Sequence, residues 1–239
     1  MPSVRLQRVV SYDDRQGIED FIEKIFDVNV DISNVLGNNS SERLVVVKPN
    51  WVQEAHEYEP DVWECVITHP NIILAVVNSL ARRMNGQGTI CVCDAPHTYA
   101  SFERITTRGN FKNQFEQLRS EWPDMRLELQ DLRREVWIRK EEAVVERQKN
   151  QEDPRGYARL DLGKDSLFYQ HPGEGKYYGA DYDTQVVNEH HTGDRQEYLL
   201  AGSPMTCDLF INLPKMKTHK KTGITCSLKN LVGINGDKN

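Results

Sequence analysis

Three short apolar runs are the clearest feature of the hydrophobic and polar pattern along the chain. Residues 44–48, 89–93 and 208–213 are rich in Val, Ile, Leu and Cys, and a proline follows each of them within three residues. Apolar runs this short and bounded by turn residues are typical of buried strands rather than helices. We therefore predict three strands, of which the first is buried.

The segment between the first two strands has helical spacing. Pro70 precedes it, Asn85 and Gly86 follow it, and its apolar residues recur at intervals of three and four: Ile72, Ile73, Val76, Val77 and Leu80. Proline suits the first helical turn, and Asn-Gly is typical of a helix end. A strand, a helix and a second strand in that order predict a parallel βαβ crossover.

A second helical face and another strand follow. Phe111, Phe115 and Leu118 predict a helix that ends before Trp122, and residues 125–132 favour a strand. The chain then becomes polar and rich in Gly, Tyr and acidic residues. Residues 147–195 show no sustained period, and we predict an insertion or lid with short hairpins, because a structureless loop of this length is unusual in a compact domain.

These elements predict the fold class. We expect an α/β fold with a mostly parallel sheet, a βαβ crossover and a polar insertion or lid, formed as one domain over residues 1–239. The chain ends soon after its last motif, and a domain truncated at its C-terminus is an alternative that the sequence leaves open.

Composition narrows the class of protein. Charged residues make up 28% of the chain, no apolar stretch is long enough for a membrane span, and the N-terminus has no secretory pattern, so we expect a soluble cytoplasmic protein. Five cysteines without metal-ligand spacing predict reduced thiols and no iron–sulfur cluster motif within this chain. Acidic residues outnumber basic ones by 36 to 30, which makes nucleic-acid binding a poor hypothesis.

Positive charge is concentrated at the C-terminal end. Residues 209–239 contain six lysines and one aspartate, a net charge of plus five. Since the whole chain has a net charge of minus six, the rest of the chain carries minus eleven.

The same segment contains an apolar stripe. Ile224, Leu228 and Leu231 have helical spacing and predict a last helix, which Gly233 would end.

Polar residues at the ends of the predicted strands are the candidate site. In open α/β sheets, ligands bind at the carboxyl ends of parallel strands, and we expect these loops to meet around one cleft. Lys48, Asn50 and Asn212 are candidate ligand contacts, and Asp94 is a candidate general base or metal ligand. Their alternatives are a solvated strand end for the lysine, turn stabilisation for the asparagines, and a helix N-cap for the aspartate.

The loop after the third strand carries the charge that an anion would need. Lys215 and Lys217 could neutralise a phosphate or carboxylate, and backbone amides near Thr222 and Gly223, at the start of the predicted last helix, could donate to it. A solvated basic loop is the alternative. Lys229 is a further candidate contact whose alternative role is to cap the helix C-terminus.

Histidines supply candidates for proton transfer and for metal binding. His219, with Asp94, is a candidate catalytic residue because imidazole exchanges protons near neutral pH. His69, His97 and His219 occur in three separate loops and could together hold a metal ion, although no pair has the close helical spacing of a specific metal site.

The residues around these strands resemble a known family. The segments 212–219 and 222–233, which include Asn230, look like the hallmark of the family called "domain of unknown function 362", and Val47-Lys-Pro-Asn50, Thr68-His-Pro70 and Asp94-Ala-Pro96 resemble its earlier blocks in the same order. The resemblance implies an α/β fold with a shared site built from these blocks, and it adds Asn230 to the candidate ligand-binding residues.

The resemblance does not imply a defined reaction. Some relatives carry ferredoxin-like iron–sulfur modules, and the family is distantly similar to the nickel-dependent lactate racemase group. This chain lacks the clustered cysteines of those modules, and its residues do not match the metal and cofactor residues of the racemases position by position.

Two functional hypotheses follow. The first is a domain that binds a small anionic metabolite bearing phosphate or carboxylate, with acid–base chemistry as a further expectation. The alternative is a non-catalytic docking or assembly module whose basic segment binds an acidic partner, such as an iron–sulfur electron-transfer protein.

Overall fold

A parallel sheet forms the centre of the molecule. The computed structural model describes residues 6–29, 35, 42–141, 143–178 and 183–238. The sheet has the order β3-β2-β1-β9, and its strands are β1 (Leu44–Pro49), β2 (Thr89–Asp94), β3 (Arg126–Asp131) and β9 (Leu209–Leu213). All three strand pairs are parallel, so the predicted α/β fold with a parallel βαβ crossover is confirmed.

Helices cover one face of this sheet. They are α1 (Arg15–Asn29), α2 (Pro70–Arg83), α3 (Phe102–Thr107) and α4 (Phe111–Glu121), with a short 3₁₀ turn (Arg108–Asn110) between the last two. Ile18 of α1 and Phe115 of α4 pack in one apolar core with Val45 and Val47 of β1. The helices predicted over residues 72–84 and 111–118 are thus confirmed, whereas α1 was not predicted.

Alternate residues of the strands face the opposite side. Val46 and Cys91 belong to a second, smaller core with Leu132 and Ala201. The two cores follow from the two-residue period of a strand, since successive side chains of β1 point to opposite faces. Both faces are covered, and β1 is buried along its whole length.

The chain between β3 and β9 forms antiparallel structure. Strands β4 (Glu135–Lys140) and β5 (Ala143–Lys149) make one hairpin. A three-stranded sheet follows, with β6 (Tyr157–Asp161), β8 (Arg195–Ala201) and β7 (His191–Thr192) in that order, and a short 3₁₀ turn (Gly163–Asp165) and α5 (Thr184–His190) connect its strands. Helix α6 (Gly202–Thr206) leads into β9. The separation of residues 147–195 as an insertion or lid stays a prediction.

The C-terminal segment corrects one prediction. After β9, β10 (Lys217–His219) and β11 (Gly223–Thr225) form a small antiparallel hairpin, and only then follow the four-residue helix α7 (Ser227–Asn230) and a 3₁₀ turn (Leu231–Ile234). The helix predicted from residue 224 was wrong: Ile224 pairs in the hairpin, and Ile224 and Leu228 are exposed and form no buried stripe.

No helix in the described part of the chain has the length and apolar character needed to cross a membrane.

Candidate functional site

The strand order reverses beside β1, which is the point where open α/β sheets bind ligands. The chain runs from β1 to β2 and β3 on one side, whereas β9 lies on the other side of β1. In open α/β sheets, the loops at the carboxyl ends of two such strands diverge and leave room for a ligand. Lys48 lies opposite Asn212 in the register of β1 and β9, so the predicted site loops start at this point.

Around the carboxyl end of β1, four predicted site residues form one buried network. Lys48 Nζ lies 2.7 Å from Asp94 Oδ1, and both side chains are almost fully buried, with 1% and 3% exposure. The same amine donates to Pro49 O at 2.7 Å and to Asn230 Oδ1 at 3.2 Å. Asn230 Nδ2 donates to Asn212 Oδ1 at 2.7 Å. We call Lys48, Asp94, Asn212 and Asn230 the buried network.

Asp94 has partners at both carboxylate oxygens. Besides the ion pair with Lys48 at Oδ1, its Oδ2 accepts a hydrogen bond of 2.6 Å from the Trp51 backbone amide. A buried carboxylate held in this way fixes the loop after β1 against the end of β2. The geometry favours a positioning role for Asp94, since neither oxygen faces solvent.

Gly233 packs directly against the Lys48–Asp94 ion pair of the network. A Cβ atom at this position would lie 2.6 Å from Lys48 Nζ and still closer to Asp94 Oδ1. The backbone of Gly233 also accepts a hydrogen bond from the Ala95 amide at 2.8 Å. The sequence suggested Gly233 as a helix end, but its missing side chain is what allows the C-terminal segment to pass over the ion pair.

The predicted basic residues form a second group beside the network. Lys217 lies near Lys215 and Lys229: burial, together with the charges of Lys229 and Lys215, lowers the pKa of Lys217 to about 8. Burial also lowers the pKa of Lys229. We call Lys215, Lys217, Lys229 and His219 the lysine cluster.

Partners of the lysine amines are neutral in the described part of the chain. Lys217 Nζ donates to the carbonyl of Val66, and Lys215 Nζ donates to Tyr12 Oη at 2.8 Å. No carboxylate within salt-bridge distance of Lys215, Lys217 or Lys229 is found among the residues that the structure describes. The cluster therefore holds like charges together without a fixed counter-charge.

His219 is part of this group. Its Nδ1 accepts hydrogen bonds from the backbone amides of Lys221 at 3.1 Å and Thr222 at 3.2 Å. Burial lowers the pKa of His219, and the nearby charges of Lys229 and Lys217 lower it further. Since Nδ1 accepts, the neutral imidazole carries its proton on Nε2.

The other predicted residues of the hairpin have different positions from those expected. Thr222 lies in the exposed turn between β10 and β11, and Gly223, with a φ of +75°, is the first residue of β11, so they do not form the start of a helix. The anion site expected at that helix start is corrected accordingly. Thr222 Oγ1 donates to Ile224 O at 3.2 Å and stabilises the turn.

Three buried polar atoms at this edge lack hydrogen-bond partners in the described structure. Asp94 Oδ1 has only its ion pair with Lys48, whereas Asn50 Oδ1 and Thr225 Oγ1 have no partner among the described residues, and Thr225 lies opposite Lys217 in the hairpin. The Asn50 backbone amide donates to Thr68 Oγ1 at 2.9 Å, which fixes the position of this loop beside β9 because that hydroxyl donates to Leu213 O. Buried polar atoms without partners are uncommon in folded proteins and are candidates for contact with a ligand or water.

His69 supports Lys215 through an aromatic stack. Its ring lies parallel to that of Tyr12, with centroids 4.2 Å apart, and Lys215 Nζ lies 4.9 Å from the centre of the Tyr12 ring. The His69 Nδ1 atom accepts from the Asn71 amide at the start of α2. Burial lowers the pKa of His69 to about 4, and the charge of Lys215 contributes, so the ring is neutral near pH 7.

The three candidate metal-binding histidines have separate environments. His69 caps α2, His219 caps the hairpin turn, and His97 stacks on Tyr99 with centroids 5.3 Å apart. Within the described ranges, no group of three His, Cys, Asp or Glu side chains could hold a metal ion.

Sequence reasoning missed several contacts of the site. Tyr12, Thr68 and the Trp51 amide all support predicted residues, but they lie far from them in sequence. Thr68 had a signal, since it belongs to one of the family-like blocks. Tyr12 had none, because the N-terminal segment contributes to the site only through tertiary packing.

Comparison with known proteins gives one family match. The model of the family "Domain of unknown function (DUF362)" matches residues 144–239, which include β9, both strands of the hairpin, Asn230 and Gly233. Comparisons with curated proteins and with solved structures give no significant match. The matched region contains all of the lysine cluster, and over residues 144–239 the chain is similar to the family of domain of unknown function 362.

Proposed function

We propose that this chain binds a small phosphate- or carboxylate-bearing anion at the lysine cluster. The observation that carries the proposal is the grouping of three lysines beside the carboxyl ends of β1 and β9 without a carboxylate partner in the described structure. Like charges held together cost free energy, and an anion that enters between them offsets this cost. The lowered pKa of Lys217 is the expected sign of such a site before its ligand binds.

Each residue of the cluster has a role in this proposal. Lys217 and Lys229 neutralise the anion, and Lys215 is held toward it by Tyr12 and His69. His219, whose Nδ1 accepts two backbone hydrogen bonds, donates to the ligand through Nε2–H instead of acting as a base. The Thr225 hydroxyl, which has no partner in the described structure, is a further donor.

The buried network supports this binding site structurally and does not form part of its ligand-contacting surface. Lys48 is almost fully buried and its amine has three partners, so the network positions the ends of β1 and β9 and does not contact the anion. Because the network has this positioning role, anion binding is the better supported part of the hypothesis. Acid–base chemistry at Asp94 is the less supported part.

Isothermal titration with sodium sulfate tests the proposal, since the charge of sulfate is constant near neutral pH. Lys217→Gln and Lys229→Gln should each weaken binding about tenfold or more, because each loses one charge-assisted hydrogen bond. Lys220→Gln is the matched control, because Lys220 is an exposed lysine of the same hairpin turn. Equal sulfate affinity in all three variants would refute the proposal.

A second candidate function is docking of an acidic protein partner, such as an iron–sulfur electron-transfer protein. Exposed apolar side chains beside the lysines favour it: Met216 is 71% exposed and Leu228 is 86% exposed. An acidic oligoglutamate peptide is a suitable probe. Docking requires that Lys220→Gln and Leu228→Ser weaken peptide binding, whereas anion binding at the cluster requires neither residue.

A cytoplasmic location remains part of the proposal. All five cysteines are free thiols in this structure, and free thiols are typical of a reducing compartment.

A further inference from the structure

A cavity separate from the lysine cluster lies between the three-stranded antiparallel sheet and the C-terminal segment. Its volume is about 370 Å³, within the range of pockets that hold small organic ligands. Leu199 of β8, Val186 of α5 and Val232 of the last 3₁₀ turn supply apolar walls. Arg134 and Lys238 supply positive charge.

Hydrogen bonds hold the walls of this cavity together. The C-terminal segment passes along β8, where the Gly236 amide donates to Leu199 O at 2.9 Å and Asn235 forms a bridge with Leu200. The Arg134 amide donates to Gly236 O at 3.0 Å. Three separate segments of the chain therefore meet to form this cavity.

Two cations of the cavity can still bind a ligand. Arg134 Nη1 lies 3.6 Å from Asp237 Oδ2, which is too long for a hydrogen bond, so its guanidinium can still engage a carboxylate. Lys238 Nζ donates one hydrogen bond, to Ala95 O at 2.6 Å, which leaves two of its three protons. A planar carboxylate matches an arginine fork better than a tetrahedral anion does.

Another side of the cavity carries an oriented histidine. His190 Nδ1 lies 2.5 Å from Glu197 Oε2 and 3.2 Å from Arg195 Nη2, and because the carboxylate contact is the shorter one and a carboxylate only accepts, we place the proton on Nδ1. Arg159 and Arg195 also pair with Glu197 and hold it in place. The Nε2 atom of His190 then has a lone pair that can accept a hydrogen bond from a ligand.

We infer that this cavity is a second ligand site, which takes a small carboxylic acid with an apolar or aromatic body. The carboxylate binds Arg134 and Lys238, and the body packs against Leu199, Val186 and Val232. This site differs from the lysine cluster in two respects: it has apolar walls, and its cations include an arginine. The inference does not depend on anion binding at the lysine cluster.

Ligand-detected NMR with a panel of monocarboxylates tests this inference. The panel contains benzoate, phenylacetate and cyclohexanecarboxylate, each beside its neutral amide. At least one acid should bind about tenfold more tightly than its amide, because the amide loses the charge-assisted hydrogen bonds. Arg134→Gln should weaken that binding about tenfold, and Arg126→Gln, at an exposed arginine outside the cavity, should not.

A cavity-filling variant locates the binding. Val232→Trp should abolish binding of the acids, whereas Val145→Trp should retain it, since both valines are 51% exposed and Val145 lies on β5 outside the cavity. Lys217→Gln should leave binding of the acids unchanged, which separates this site from the lysine cluster. Failure of every acid to bind, or binding that Val232→Trp does not affect, would overturn the inference.

Discussion

Removal of the charge on Lys48 should destabilise the protein strongly. In Lys48→Met, Asp94 stays buried but loses the amine 2.7 Å from its carboxylate, and Asn230 loses a donor. Loss of one partner of a buried ion pair typically costs about 3–5 kcal/mol, because an unpaired buried charge remains. A domain has a free energy of unfolding of about 5–15 kcal/mol, so the variant should fold with a much lower urea midpoint.

A double-mutant cycle separates the pair from its surroundings. Asp94→Asn keeps an oxygen for the Trp51 amide but removes the negative charge, and the double variant contains neither charge. Because the double variant leaves no unpaired charge, it should cost less than the sum of the single variants, with a coupling of about 2 kcal/mol or more.

Urea unfolding followed by tryptophan fluorescence and by far-UV circular dichroism measures each free energy of unfolding. Lys221→Met, at an exposed lysine of the hairpin turn, is the control and should change the free energy by less than about 0.5 kcal/mol. Additive effects of the two single variants, or a cost of Lys48→Met below about 1 kcal/mol, would contradict a buried ion pair at this position.

Three further predictions concern the site and its surroundings. Gly233→Ala should lower the urea midpoint more than Gly175→Ala, since a Cβ at 233 meets Lys48 and Asp94 whereas one at 175 meets nothing within 4 Å and adds only the strain of a φ of +75°; a smaller effect at 233 than at 175 would exclude the close approach. Sulfate affinity should fall as pH rises through about 8, where Lys217 loses its proton, and titrations of Lys217→Gln should lose this step. Although burial alone would raise it, hydrogen bonds from basic side chains lower the pKa of Glu197 from its ordinary 4.5 to about 2. Its ion pairs should therefore stabilise the fold above pH 4.5 and less as pH falls toward 2, and thermal unfolding of Glu197→Gln should show a weaker dependence on pH over this range.

Local patterns were sufficient for the sheet. The runs at 44–48 and 89–93 are continuous because their strands are buried on both faces, and continuous burial leaves a strong signal in a sequence, whereas the run at 208–213 forms the half-buried edge strand β9. The crossover helix was equally clear, since its apolar spacing, proline start and Asn-Gly end agree. The same kind of pattern marks α1, where Ile18, Ile22 and Phe26 recur every four residues, although α1 was not predicted.

The last helix shows where a local pattern misleads. Ile224, Leu228 and Leu231 have helical spacing, but they have no core to pack against, and Gly223 instead adopts a left-handed conformation that closes a hairpin. Spacing predicts a helix only when a partner surface exists, because burial of the apolar face supplies most of its stability.

Sequence alone determined the strands of the parallel sheet, the strand-end location of the candidate site and most of its residues, because each depends on neighbours within a few positions. Tertiary structure alone decided which of those residues belong to the buried network and which belong to the lysine cluster. Lys48 and Asp94 are 46 positions apart in the chain, and Lys215 reaches Tyr12 across 203 positions. Which lysine becomes buried in an ion pair, and which has no carboxylate partner among the described residues, depends on contacts between distant segments that no local pattern records.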